Sequence, residues 1–216
     1  MLSVETISVL IIGYLIGSVP WAVIVAKRSG VDIFSVGSGN PGATNVLRTL
    51  GKPSGYLVFF LDFLKGVLAV CWFQIPLFSF SGDSSLALWG LPAAVLGHTY
   101  PLFTKFRGGK GVATAMGGLL ALMPACLLIG LFVWGLTFYL TRYVAVASIA
   151  FGLSLPVCAI IGISADESAG GGKTFLAFIV MGWIVWRHRA NLVRLRQGTE
   201  NRFERKDKTK RQPFGR

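Results

Sequence analysis

Apolar residues fall in seven runs, at about 5–26, 56–78, 84–100, 111–123, 125–140, 143–163 and 173–187, separated by short polar stretches. Backbone N–H and C=O groups cannot go unpaired in hydrocarbon, so each run predicts a helix. The stretch 111–140 admits two readings. As one helix its thirty residues would reach about 45 Å, against a hydrocarbon core of about 30 Å. Pro124 offers a place to turn, which makes two helices. Several runs hold only 13 to 17 residues. Such lengths suit a small bundle that thins the bilayer locally or buries helix ends in protein. Small residues at four-residue spacing, Gly13 with Gly17 and Gly117 with Ala121, would let neighbouring helices approach closely. No long-period repeat suggests inverted halves.

Composition supports this pattern. The 216 residues are 53% hydrophobic and only 14% charged, as in a polytopic membrane protein. A net charge of +12 fits nucleic acid, anionic lipid or an anionic substrate equally well. Cys71, Cys126 and Cys158 lie inside apolar runs without metal-ligand neighbours and read as small hydrophobes, with no disulfide or zinc site. The first run follows Glu5 without a basic leader or a small-residue cleavage site, so it reads as a retained span.

Charge decides the topology. With 111–140 split, segments 27–54, 101–110, 141–142 and 188–216 share one side and carry 18 of the 21 Lys and Arg. The other side receives Lys173 together with Glu5, Asp83, Asp166 and Glu167. Joining 111–140 would send the basic C-terminal tail outside, against the positive-inside bias. The expectation is an all-α integral membrane protein of seven transmembrane helices, N-terminus outside and C-terminus cytoplasmic. Residues 1–204 form one domain and 205–216 a basic tail.

The polar loops then gather on the inner face. The first, "GSGNPGATNVLRTLGK" (37–52), places a turn at Asn40-Pro41-Gly42, with Thr44 expected to cap a short helix that Gly51 ends, setting Arg48 on an ordered surface. The second, "HTYPLFTKFRGGKGVAT" (98–114), feeds Gly108, Gly109, Lys110 and Gly111 into a helix N-terminus near Thr114. Free backbone N–H groups, the positive helix end and a lysine make an anion site. It is not a nucleotide P-loop, since Thr104 stands at the first glycine position and Gly111 follows the lysine. "TRYVAVAS" (141–148) supplies Ser148, and "WRHRANLVRLRQGTE" (186–200) supplies His188 and Asn191 among several arginines.

Familiar nucleophile and metal patterns are missing. Ser38 lies between Val36 and Asn40 and is no nucleophile elbow. Phe103 and Val193 follow His98 and His188 at five residues, where a His-x4-Asp pair would need Asp. The scattered acids predict neither a metal nor a cofactor. Asp62 and Lys65 sit at i and i+3 inside the second run, as a functional charge pair or an ion pair that orients the helix. Plainer readings stand beside the others. Arg48 and Lys110 can be positive-inside anchors, His98 and His188 can cap helix carbonyls, and the arginines of 187–194 and the run 205–211 can touch anionic lipid.

Taken together, these four loops, with "YLIGSVPWAVIVAK" in the first run and "LDFLKG" in the second, resemble the bacterial acyl-phosphate:glycerol-3-phosphate acyltransferase family over residues 10 to about 202. The resemblance implies a membrane enzyme that moves a fatty acyl group from acyl phosphate to the sn-1 hydroxyl of glycerol 3-phosphate, giving lysophosphatidate and phosphate. It implies Ser38, Arg48, Lys110, Ser148, His188 and Asn191 around the phosphates, with Asn40, Thr44, Asn45 and His98 nearby. The glycine loops, through Gly39, Gly108, Gly109 and Gly111 with Thr114, would contribute to the substrate site. Arg107 stands where lysine is usual and Ala145 where serine is common.

The implied partners are the two substrates, membrane lipid and, as a further candidate, the soluble enzyme that makes acyl phosphate; nucleic acid is not expected. The implied location is the bacterial inner membrane, with the site at its cytoplasmic face. A polytopic anion transporter and a non-catalytic assembly subunit are the competing readings.

Overall fold

The computed structural model describes residues 3–74, 84–162 and 170–204. The tail 205–216, Asp83, Asp166, Glu167 and the ends of the second and sixth runs lie outside the described residues. Every regular element among the described residues is helical: α1 (Val4–Ser18), α2 (Trp21–Arg28), α3 (Ala43–Leu50), α4 (Lys52–Cys71), α5 (Ala87–Thr99), α6 (Val112–Leu122), α7 (Pro124–Thr141), α8 (Val144–Ile160), α9 (Gly170–Arg187) and α10 (Arg189–Arg196).

The split of 111–140 is present. Met123 leaves helical geometry between α6 and α7, and Pro124, whose missing N–H costs nothing at a helix start, opens α7. The first run, expected as one helix, is instead interrupted. The residue before a proline is pushed out of the α region, and Val19 is extended, with φ −61° and ψ 115°. Its carbonyl leaves the helical ladder and accepts from the Trp21 amide at 3.2 Å and from Lys65 Nζ of α4 at 2.9 Å.

Close helix contacts rest on small residues. A side chain at Gly17 would run into the Ala94 backbone of α5, and one at Gly97 into the Tyr14 carbonyl of α1. The α4–α6 contact is built the same way, from Gly66 facing Thr114 and Gly117 facing Phe63. Gly117 thus packs as expected, but Ala121 is exposed, and the second small residue at that contact is Gly66. Two apolar cores result. The larger joins α5 to α9 around Leu91, Leu119, Phe151 and Leu155, while a smaller one of Ala22, Ala26, Ile33, Val46 and Val58 lies beneath the first polar loop.

Large apolar side chains such as Phe60, Leu128, Phe132, Leu140 and Phe175 are exposed, as on a lipid-facing surface. Among the described residues, three stretches, Val4–Arg28, Lys52–Gln74 and Pro124–Thr141, are long and apolar enough to cross a membrane.

Candidate active site

The first polar loop is organised by Asn45. Its Oδ1 accepts from the Ser38 amide at 3.0 Å, and its Nδ2 donates to the carbonyls of Ile33 at 3.3 Å and Val36 at 3.0 Å. The amide is buried and committed to its own loop, which holds Ser38, Gly39 and Asn40 in place. The expected Thr44 cap is corrected. Gly42 is the N-cap, no side chain caps α3, and Thr44 lies within the first turn. Gly51, at φ 90°, ends the helix as expected.

Arg48, in the last turn of α3, donates from Nη2 to the Asn201 carbonyl at 3.1 Å and stacks over the Phe203 ring at 4.6 Å. Burial holds its pKa below the ordinary arginine value, opposed by the charge of Glu200.

The second loop folds back on the end of α5. The Gly109 amide donates to the His98 carbonyl at 3.1 Å, and Arg187 Nη2 donates to the Gly109 carbonyl at 3.0 Å. Gly111, at φ 80°, then starts α6. Behind the loop lies a buried polar cluster. His98 Nδ1 is 3.3 Å from Thr114 Oγ1 and 3.5 Å from Asp62 Oδ1, and Asp62 pairs with Lys65 at 2.9 Å. A pocket lined by Val19, Trp21, Lys65, His98 and Gly109 adjoins this cluster. The side chains of His98 and Thr114 therefore support the loop from behind.

Lys110 points the other way and donates to Asn191 Oδ1 on α10. Burial pushes its pKa down to about 8; Glu200 opposes this, while Arg194, Arg187 and Arg48 reinforce it. His188 lies at the joint between α9 and α10, buried, with Nδ1 2.8 Å from the Ile184 carbonyl. A carbonyl only accepts, so Nδ1 carries the proton. Burial, followed by the Lys110 charge, brings the His188 pKa down to about 3, so the ring is neutral and Nε2 has a free lone pair.

Asn191 also donates from Nδ2 to Glu200 Oε1 at 2.8 Å, and Arg194 Nε donates to Glu200 Oε2 at 2.8 Å. One network thus joins Lys110, Asn191, Arg194 and Glu200, with Arg48 and His188 coupled to it by charge. Ser148, expected in the same place, is buried on α8, where its hydroxyl accepts from the Trp134 indole at 3.4 Å. Glu200, Asn201 and Phe203 had no expected role. The available signal was a carboxylate just after Gly198, at the end of an arginine-rich helix. Among the described residues no three His, Cys, Asp or Glu side chains are grouped to hold a metal ion.

The glycerol-3-phosphate acyltransferase family profile matches residues 7–198. A glycerol-3-phosphate acyltransferase of Aquifex aeolicus is 42% identical over 92% of this chain and its own full length. One from Bacillus cytotoxicus is 41% identical over 94% of this chain and 98% of the relative. Among solved structures, the integral membrane glycerol 3-phosphate acyltransferase PlsY (YgiH) in its glycerol 3-phosphate form superposes with a TM-score of 0.80 at 42% identity, covering 92% of this chain and 96% of that one. Its lysophosphatidic acid form gives 0.79 at 41% identity, with 92% and 95% covered. Nearly the whole chain takes part in these matches, and the chain belongs to the glycerol-3-phosphate acyltransferase family.

Proposed function

We propose that the chain transfers a fatty acyl group from acyl phosphate to the sn-1 hydroxyl of glycerol 3-phosphate, releasing lysophosphatidate and inorganic phosphate. The observation that carries this reading is the network around Lys110 and Asn191, which gathers cations from α3, the glycine loop and α10 at one end of the bundle. Both substrates are anions, and their mutual repulsion is the main barrier to contact. Lys110 and Arg48, with backbone amides of the two glycine loops, would neutralise the phosphates and hold the hydroxyl against the acyl carbonyl.

Acyl phosphate is a mixed anhydride and needs no covalent enzyme intermediate. The sn-1 oxygen forms the new ester bond to the acyl carbon, the bond from that carbon to the phosphate oxygen breaks, and the hydroxyl proton passes to the departing phosphate. The lone pair on His188 Nε2 suits it to accept a hydrogen bond from the attacking hydroxyl. Ser38 and Asn40 lie in the loop that Asn45 organises and would meet a phosphate there, and Ser148 would approach it from α8.

In the membrane, α1 with α2, then α4, α5, α6, α7, α8 and α9 make seven spans, with the N-terminus outside and the C-terminus in the cytoplasm. The site then faces the cytoplasm at the inner membrane. The acyl tail lies between helices in the bilayer while its phosphate emerges at the cations.

The test is purified protein with acyl phosphate and labelled glycerol 3-phosphate, with acyl-CoA and acyl carrier protein thioesters as rival donors. Acylation from acyl phosphate alone is expected. Product only from a thioester donor would overturn the donor, a trapped acyl-serine at Ser38 would overturn direct transfer, and vesicle uptake of glycerol 3-phosphate without acylation would favour transport.

A further inference from the structure

The chain leaves α10 through a Schellman turn. Gly198, at φ 70°, donates its amide to the Leu195 carbonyl at 3.2 Å, and Thr199 donates its amide to the Arg194 carbonyl at 2.8 Å. This turn reverses the chain and lays residues 199–203 across the inner end of the bundle. Asn201 meets Arg48 of α3, and the Phe203 amide donates to the Arg142 carbonyl at 3.0 Å. The Phe203 ring packs edge-on against Phe138 of α7 at 5.6 Å while carrying the Arg48 guanidinium on its face.

Within this strap the Glu200 side chain is only 5% exposed, and both its carboxylate oxygens are engaged. It faces Lys110 from the glycine loop, Arg48 from α3, Arg194 from α10 and, beyond Lys110, Arg187 and neutral His188 at the end of α9. A carboxylate so enclosed is a fixed part of the cation network. It also determines how Asn191 is turned. Because Nδ2 donates to Glu200, Oδ1 is left for Lys110; the reverse orientation would set an N–H₂ group against an ammonium that can only donate.

We propose that Glu200 is a positioning residue of the acyl-transfer site: it locks Asn191 and Arg194, and serves as the counter-charge that keeps Lys110 protonated and held against Asn191. This rests on the transfer reading above for its consequence in turnover, but the charge coupling is measurable without turnover. Removing the carboxylate leaves Lys110 among like charges with only an amide partner, and favours its neutral form. An uncharged lysine grips a phosphate weakly. The alkaline limb of the reaction is therefore set in part by a residue that contacts neither reacting carbon.

The test compares wild type, Glu200→Gln and Glu204→Gln, the last replacing an exposed carboxylate just beyond the strap. Amine labelling of Lys110 as a function of pH, read by mass spectrometry, gives its protonation directly. In Glu200→Gln the half-labelling pH is expected to fall by about one unit, the usual effect of one nearby opposite charge. The alkaline limb of kcat/KM for glycerol 3-phosphate should fall with it, and Glu204→Gln should move neither. Well below the Lys110 pKa, where the lysine is charged with or without the carboxylate, Glu200→Gln combined with Asn191→Ala should lose little more turnover than Asn191→Ala alone. If Glu200→Gln fails to fold, Glu200→Asp, which withdraws the charge by one methylene, should give a smaller shift in the same direction. An unmoved half-labelling pH in whichever variant folds overturns the proposal. A wild type that labels as expected yet acylates nothing from acyl phosphate would overturn the transfer reading and leave the charge coupling standing.

Discussion

Gly109 rests directly against His98: its amide donates to the His98 carbonyl at 3.1 Å, and a Cβ at this position would strike the imidazole Nε2 and press on the Pro41 carbonyl. Both glycine loops and the end of α5 therefore meet at one backbone atom. Gly109→Ala is expected to displace Lys110 and lower kcat by about 10²-fold, the cost of a misplacement near 1 Å. Turnover within a factor of two of wild type would show that the loop adapts freely.

Lys110 and Arg48 reach the cation network from different elements, so each should matter by itself. Lys110→Ala and Arg48→Ala are each expected to reduce kcat by about 10²–10³-fold, comparable with removing one donor from a preorganised anion site. Steady-state acylation assays measure this, and full turnover in the double variant would sink the electrostatic mechanism.

The pKa of Lys110, pushed down to about 8 by burial, predicts opposite trends in rate and stability. Activity that needs the cation should decline as pH rises through about 8. Between that value and the ordinary lysine range the unfolded chain holds a proton that the folded chain has lost, so this residue's contribution to stability rises with pH. Rate and thermal unfolding in detergent, followed over pH 7 to 10, should therefore diverge in wild type. The divergence should disappear in Lys110→Ala, assayed at high protein concentration.

Asp62 and Lys65 form a buried pair whose lysine also closes the gap in the first helical run by bonding to Val19. Lys65→Met leaves Asp62 without its nearest counter-ion and is expected to destabilise the fold by about 3–5 kcal/mol. The double change Asp62→Asn with Lys65→Met should recover most of that loss, because the unpaired charge is gone. Unfolding midpoints of the three variants decide the matter; equal losses in single and double variants would mean that the pair acts through something other than charge.

The helical runs could be read from the sequence because each lies in a continuous apolar stretch and the α6–α7 boundary is marked by Pro124. Hydropathy does not change at Val19, so the interruption is not legible there although Pro20 marks it, and nothing in the sequence indicates that Trp21 and the lysine on α4 share its carbonyl. The loops announced themselves by glycine and positive charge. What those features could not convey was which polar groups face inward. Asn45 and Thr44 have similar local surroundings in the sequence, yet Asn45 is buried and stitches three backbone groups while Thr44 is half-buried within the first turn. Glu200 was concealed for a related reason. Its partners lie six and nine residues back, and only the turn at Gly198 brings them together.

Helix α6 has just eleven residues, which amounts to about 16 Å, roughly half the thickness of a hydrocarbon core. On the seven-span reading, the glycine loop at its start is recessed below the plane of the lipid headgroups. The carbonyl of the membrane-borne donor proposed above would already reside at that level. Such a donor could react without being drawn out into water, and only the small, soluble acceptor would have to travel.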